Sequence, residues 1–515
     1  QARSPRPALT VHGPRAAVGQ NWVSRERGVW EYHLEGEPFD MGYAHARLGS
    51  RLLMETEDYM FSEMRRYVPS QISLFFLRAL VLLKYRHIGA DLRPEHALEI
   101  AGMSRGFYET RADFLPSYHR LVLYHALHDI TQGVEGSPLL GCTAFAAAGQ
   151  ATQSGHLIIG RNFDFEGPPI FDKDKAVLFF KPKGKIPFAS VAWTGLAGAV
   201  TALNAEGIYV SVNAARTEDQ GSRGVPVELL LREVMESARS VNEAIAIIQA
   251  RPVMVPDFYL LGDGKTGESV VVERTPKRTF LRRSKELLGL ANHALSAELA
   301  GDKENERLRT HLTSGARYQR IMELLQQNRG IIDPRKALEM LRDKKALGGE
   351  PLALGNRNAI DAIIATHSVV VDATSMIIWV GSGPHALGRY VAFDSNANLA
   401  GSTESQGYVR DRVAGTTTLV TRASGPTGAI ADGLLGRLAI SGDGRRVKWG
   451  GRSIAATVIG RRCGFRCWGV PQPLDLAPVL VLADQRSLVP QVAVVDLDPR
   501  VLPCQGQWWD LCHLE

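Results

Sequence analysis

The sequence predicts an α+β fold of antiparallel sheets with segregated helices. Two observations point there. The apolar spacing keeps one period over long blocks, helical before residue 140 and alternating from 143 to 212, then a helix pair, then strands again. The breaks between consecutive strands are short and carry turn residues, as hairpins require. The regular strand–helix alternation of a doubly wound sheet does not occur, and no internal repeat is visible.

Residues 1–28, rich in Pro and Arg, are expected to be irregular. A strand is predicted at Trp30–Glu35, then a helix at Met41–Tyr67. Further helices are predicted at Leu74–Tyr85, Pro94–Phe107, with Pro94 in its first turn, and Ser117–Ile130. Strands follow at Thr143–Ala148, His156–Phe165, Ala176–Phe180 and Phe188–Trp193. Another pair, Val200–Leu203 and Ile208–Val212, turns at Asn204–Gly207. Helices are predicted at Pro226–Ala238 and Val241–Ala250, with Ser240 as N-cap. Strands Phe258–Leu261 and Ser269–Arg274 form a hairpin, followed by strands Arg278–Arg283 and Leu287–Ala291. Helices Ala316–Gln327 and Pro334–Leu341 precede a last hairpin, Ser368–Asp372 with Ile377–Val380, and a strand at Arg389–Asp394.

The composition shifts near residue 400. Residues 401–515 hold 12 Arg and one Lys, against 34 and 13 before them, and half of the eight tryptophans. The net charge of +6 is thin over 515 residues and no Lys/Arg-rich block sharpens it, so nucleic acid is not an expected partner. The most apolar run, Ile72–Leu83, is too short to span a bilayer and reads as a buried helix; no stable membrane span is expected. The opening stretch QARSPRPALTVHGPRA carries no apolar core of a secretory signal, and the compartment stays open.

Four of the five cysteines, Cys463, Cys467, Cys504 and Cys512, fall after residue 400, so Cys142 stands alone in a large region. That is no disulfide framework. The late cysteines with His513 match no tight zinc spacing, and His125, His128 and Asp129 read as a solvated or capping helix face; no metal and no cofactor is expected.

Cys142 follows Gly141 and precedes a strand–turn–strand that ends in Arg161 and Asp164. A cysteine can attack the carbonyl before it and turn the amide into a thioester that water resolves. Gly141 suits that strained turn. The freed α-amine has a reference pKa of about 7.7–8.0 and serves as a base on the same residue as the thiol. Such a site needs a cation near sulfur, a carboxylate to hold the amine, and donors for the oxyanion. Arg161 and Asp164 supply the first two, and Asn292 and Asn213, at strand ends, are candidates for the third. His293 and His367 keep a papain-like thiol hydrolase without self-cleavage as an alternative. A non-catalytic protein binding a ligand in the same cleft is another.

The stretch GCT followed by GRNFDF resembles the N-terminal-nucleophile (Ntn) cysteine hydrolases. Within them the chain is most similar to the acyl-coenzyme A:6-aminopenicillanic-acid acyltransferase family, also called isopenicillin-N acyltransferase-like or peptidase family C45. ALNAEGIYVSVN at 202–213, ANHALS at 291–296, ARYQRI at 316–321 and ATHSVVVD at 365–372 fit in the same order, over about residues 28–395. The resemblance implies an αββα sandwich of two antiparallel sheets between helix layers, self-cleavage between Gly141 and Cys142, and attack on a linear amide. It matches Cys142 to the nucleophile, Arg161 and Asp164 to the Arg/Asp pair, Asn292 to the oxyanion asparagine and Arg317 to a site arginine. Asn213 matches too, with Asn204 competing in the same hairpin. The expected organisation is an irregular segment 1–28, a mostly helical pro-segment 29–141, a catalytic domain 142–398 and a β-rich or disordered extension 399–515. The expected partner is a small N-acyl amide or acyl donor, with the two self-cleaved chains staying associated.

Overall fold

The computed structural model describes residues 7–26, 28–68, 70–107, 115–132, 140–165, 170–221, 223–362, 364–383, 386, 388 and 390–395, and the backbone of eight short strands between 408 and 510. Contacts divide the chain into two units, 1–399 and 400–515.

In the first unit the strands are β1 Leu9–His12, β2 Arg15–Val18, β3 Asn21–Glu26, β4 Val29–Gly36, β5 Leu140–Gly149, β6 Gly155–Phe165, β7 Lys175–Pro182, β8 Phe188–Trp193, β9 Thr201–Asn204, β10 Ile208–Ala214, β11 Asp257–Asp263, β12 Glu268–Arg274, β13 Thr279–Ser284, β14 Leu287–Leu290, β15 Ala365–Asp372, β16 Ile377–Gly381 and β17 Tyr390–Asp394. The helices are α1 Pro38–Leu48, α2 Ser50–Tyr67, α3 Gln71–Tyr85, α4 Ile88–Asp91, α5 Pro94–Gly106, α6 Ser117–Tyr124, α7 Leu127–Gln132, α8 Ile170–Lys173, α9 Val227–Ser237, α10 Val241–Ala250, α11 Lys303–Thr310, α12 Ser314–Gln327 and α13 Pro334–Leu341.

Two sheets form. The larger runs β1-β2-β3-β4-β7-β8-β9-β10-β11-β12-β13 and is antiparallel except where β4 pairs β7 in parallel. The smaller runs β14-β5-β6-β15-β16-β17, antiparallel throughout. Strand alternation sorts their side chains into layers. Ala144, Ala146 and Ile159 meet Phe179, Tyr209 and Leu260 between the sheets. On the far side of the larger sheet, Val210, Val212, Tyr259 and Leu261 pack with Leu231 and Val234 of α9 and Ile245 and Ile248 of α10. On the far side of the smaller sheet, Phe145, Ala147, Ile158 and Val370 pack with Ile321 and Leu325 of α12 and Met340 and Leu341 of α13. The order is helix, sheet, sheet, helix, the expected αββα sandwich. Each large apolar side chain in these layers gains about 1.5–3 kcal/mol from leaving water. The N-terminal helices add a separate cluster, in which Ile100, Met103 and Leu121 meet Leu229 and Leu230 of α9.

Four expectations need correction. Residues 9–26, expected irregular, form β1–β3, because Gly13 and Gly19 take positive φ at two tight turns and Arg15 stacks on Trp22 across the second hairpin. The helix expected at 41–67 is two, broken at Gly49, where an added Cβ would collide with Thr194. The helix expected at 117–130 also divides, into α6 and α7. At the break His125 faces inward, Nδ1 against the Leu121 carbonyl and Nε2 accepting from the Ala197 amide. The run Ile72–Leu83 is helical but not buried.

In the second unit the described strands form a hairpin, 408–411 with 416–419, and a six-stranded antiparallel sheet between 438 and 510. Cys463, Cys467, Cys504, Cys512 and His513 lie outside the described residues. No single described helix is long and apolar enough to cross a membrane.

Candidate active site

The hairpin of β5 and β6 sets the site. Its register places Cys142 opposite Phe163, Gly141 opposite Asp164 and Ala144 opposite Arg161. Alternation then puts Arg161 and Phe163 on the face of Cys142, towards the larger sheet, and Asp164 on the opposite face. Arg161 is fully buried and reaches that sheet, donating to the carbonyls of Val200, at 2.6 Å, and Val212 and to the Thr201 hydroxyl. These acceptors are neutral, so its charge is left to act on the Cys142 Sγ, 4.0 Å from Nη2.

Asn292 and Arg317 clamp the backbone of Cys142. The Cys142 amide donates to Asn292 Oδ1 at 3.0 Å. Arg317, buried on α12, donates to the Cys142 carbonyl, to the Thr143 hydroxyl at 2.8 Å and to the same Asn292 Oδ1 at 2.7 Å. Asn292 Nδ2 donates to the Ala214 carbonyl and Asn213 Nδ2 to the Ala291 carbonyl, so each asparagine is tied to the chain beside the other. Asn213 Oδ1 is buried without a partner. Asn204, the competing choice, caps its own hairpin: Oδ1 accepts the amides of Glu206 and Ile208, and Nδ2 donates to the carbonyls of Met235 and Ala238.

Burial governs the electrostatics. It pushes the Cys142 thiol above its ordinary value, although Arg161 pulls the other way. Burial also pushes the Asp164 carboxyl up to about 7, against the opposing pull of Arg317, and its Oδ1 has no partner. The geometry thus brings together Cys142, Arg161, Asp164, Asn292, Arg317 and Asn213 around the Gly141–Cys142 peptide.

The histidines are engaged elsewhere. His293 Nδ1 lies 2.8 Å from the Ser314 hydroxyl, and burial lowers the ring to about 4. His367 Nε2 lies 3.0 Å from the Thr201 hydroxyl and its ring stacks on Phe163. Asp129 accepts from the Val227 amide. Among the described residues no cluster of His, Cys, Asp or Glu is arranged for a metal ion.

Thr143 accepts from Arg317, Thr201 from Arg161 and Ser314 from the Asn292 amide, and sequence reading missed all three; each hydroxyl's partner lies on an element distant along the chain and leaves no local pattern. It also missed a cavity of about 120 Å³. Leu53, Met60 and Tyr124 of the helical segment line it together with Phe163, Phe171 and Trp193. One lining residue, Phe163, is the cross-strand partner of Cys142.

Comparison with known proteins supports the resemblance read from the sequence. The family model of acyl-coenzyme A:6-aminopenicillanic acid acyl-transferase matches residues 151–358. An uncharacterized protein of Archaeoglobus fulgidus is 24% identical over 259 residues, 47% of this chain and 42% of that protein. Acid ceramidase of Bos taurus is 25% identical over 152 residues, 25% of this chain and 38% of the enzyme. The chain thus spans less than half the length of these relatives. Among solved structures, a Caenorhabditis elegans N-acylethanolamine-hydrolyzing acid amidase ortholog is 17% identical, covering 45% of this chain and 93% of its own at a TM-score of 0.33. Penicillin V acylase from Agrobacterium tumefaciens is 13% identical, covering 56% and 94% at 0.35.

Proposed function

We propose that this chain is a self-processing Ntn cysteine enzyme that hydrolyses a linear amide or transfers its acyl group. The observation that carries the reading is the cradle around one peptide bond: Arg161 beside the sulfur, Asn292 and Arg317 on the backbone of Cys142, and Asp164 opposite Gly141.

Activation begins when Sγ attacks the Gly141 carbonyl. An S–C bond forms, the C–N bond breaks, and the thiol proton ends on the departing nitrogen. Asp164, whose register partner is Gly141, is the carboxyl that would hold the amine once it is freed. Water then hydrolyses the thioester, leaving Gly141 as a carboxylate and Cys142 with a free α-amine. In turnover that amine takes the thiol proton, the thiolate attacks a substrate amide, and the leaving amine departs with the proton. Water resolves the acyl-enzyme in hydrolysis, and an acceptor amine resolves it in transfer. Arg161 favours the charged sulfur, and Asn292 and Asn213 release their carbonyls to receive the oxyanion. The apolar cavity beside Phe163 suits an acyl chain. The names of the matched relatives, an acyl-transferase and an acid ceramidase, agree with acyl-amide chemistry.

The test is to trap the intermediate. Incubation of the processed protein with N-acyl amides of increasing chain length, followed by acid quench and peptide mass mapping, is expected to place the acyl group on Cys142. Amide turnover with no adduct on that peptide would overturn the proposal.

A further inference from the structure

Helix α3 turns its apolar side outward. Ile72, Phe75, Phe76, Leu80 and Leu83 recur at three- and four-residue spacing, so they share one face. They are 71, 63, 65, 60 and 62% exposed, and Ala79 between them is exposed too. Leu74, Val81 and Leu82, on the other side, are half-buried. An ordinary amphipathic helix buries its apolar stripe and turns polar residues to water. So large a contiguous apolar face marks an interaction site.

Charge identifies the partner. Every Lys, Arg, Asp or Glu from Met64 to Ala90 is basic: Arg65, Arg66, Arg78, Lys84 and Arg86. Arg65 and Arg66, the latter also 3.5 Å from Glu63, precede the face, Lys84 and Arg86 follow it, and all four are exposed. The helix has 15 residues, a length of about 22 Å. A hydrocarbon core is about 30 Å thick, so α3 does not span one. The segment Gln71–Asp91, of which α3 is the first part, meets the segment Ser50–Arg66 at a bend of 118°. An apolar stripe bracketed by cations and too short to cross is built to lie in the plane of a membrane interface. A second copy of this chain meeting the same face would bring cations against cations.

We propose that α3 docks the protein on an anionic lipid bilayer, with Phe75, Phe76, Leu80 and their neighbours below the headgroups and the flanking cations against the phosphates. The docking rests on α3 and stands apart from the role proposed for Cys142. Its consequence reaches the cavity, because α2, which contributes Leu53 and Met60 to the cavity wall, ends only a few residues before the docked helix begins. A membrane-held acyl substrate would then be met at the segment that lines the cavity.

The experiment is flotation of the full chain with vesicles of phosphatidylcholine alone or mixed with phosphatidylserine. The mixed vesicles are expected to carry the protein, the neutral ones far less, and added salt to weaken the binding. Phe75→Ser with Phe76→Ser and Leu80→Ser is expected to lower affinity about a hundredfold or more. Lys84→Gln with Arg86→Gln should cost about fivefold for each cation removed. Circular dichroism checks that each variant folds. Should the triple variant not fold, Phe76→Trp serves instead, its indole emission shifting to the blue on addition of mixed vesicles. A wild-type chain that does not float, or an indole emission in the Phe76→Trp variant that vesicles leave unchanged, overturns the proposal. So does a chain that ignores vesicles but is dimeric until the triple substitution makes it monomeric, which would make α3 a face between copies.

Discussion

Arg161 Nη2 stands 4.0 Å from Cys142 Sγ, on the same face of the β5–β6 hairpin, and the thiol still sits above its ordinary pKa. Both facts follow from burial. The sheets exclude water from sulfur and guanidinium alike, and desolvation outweighs the attraction between them while the Gly141–Cys142 peptide is intact. Replacing Arg161 by Gln therefore removes the pull and keeps the burial. The pH at which iodoacetamide alkylates Cys142 should rise, and both processing and turnover should fall. An unchanged alkylation profile would show that the arginine serves only to tie the sheets together through Val200, Thr201 and Val212.

Asn292 is bound to the backbone on both sides, its Oδ1 to the Cys142 amide and its Nδ2 to the Ala214 carbonyl. Asn292→Ala should lower turnover by about 10²–10³, the usual cost of one oxyanion donor. It should slow self-cleavage as well, since Cys142 loses the partner that fixes its amide. Steady-state rates on an N-acyl amide, with gel analysis of processing, measure both. Unaltered turnover would make Asn292 a structural link between β10 and β14.

The pH behaviour of Asp164 has a definite sign. Burial raises its carboxyl from 3.8 to about 7, so between those values the folded chain holds a proton that the unfolded chain has released. Stability from this group accordingly falls as pH rises through that window. Asparagine mimics the protonated acid. In an uncut Cys142→Ala background, adding Asp164→Asn should change little near pH 4 and should stabilise progressively towards pH 7. Denaturant unfolding at a series of pH values reads this directly. Parallel stability curves for the two proteins would show that Asp164 is not held protonated by burial.

Most of the sandwich is legible in the sequence because its strands alternate cleanly and its hairpin turns are short. The Cys142 hairpin is the clearest case: the even residues 142, 144 and 146 share one face, and Arg161 falls on it by register. The exceptions have local physical causes. The helix breaks at Gly49, whose φ of −95° and ψ of 7° leave the helical region, and Thr194, far along the chain, takes the space of a side chain there. β1–β3 escape composition-based reading because two glycine turns and one Arg15–Trp22 stack hold short edge strands together. At the site, Cys142, Arg161 and Asp164 are near in sequence, whereas Thr201, Ser314 and the cavity wall come from separate elements. The outward face of α3 is invisible to periodicity, which marks a stripe but not which way it points.

Cleavage of the Gly141–Cys142 bond is the central test of a self-processing enzyme. Intact-mass analysis with N-terminal sequencing of the purified protein should find two chains, the first 141 residues and the remaining 374. Those are about 15 and 41 kDa when 56.4 kDa is divided by length, and they should stay associated through their shared core. The larger should begin with Cys142, and Cys142→Ala should leave one uncut chain. A wild-type protein that turns over amides as a single chain of full length would contradict the account.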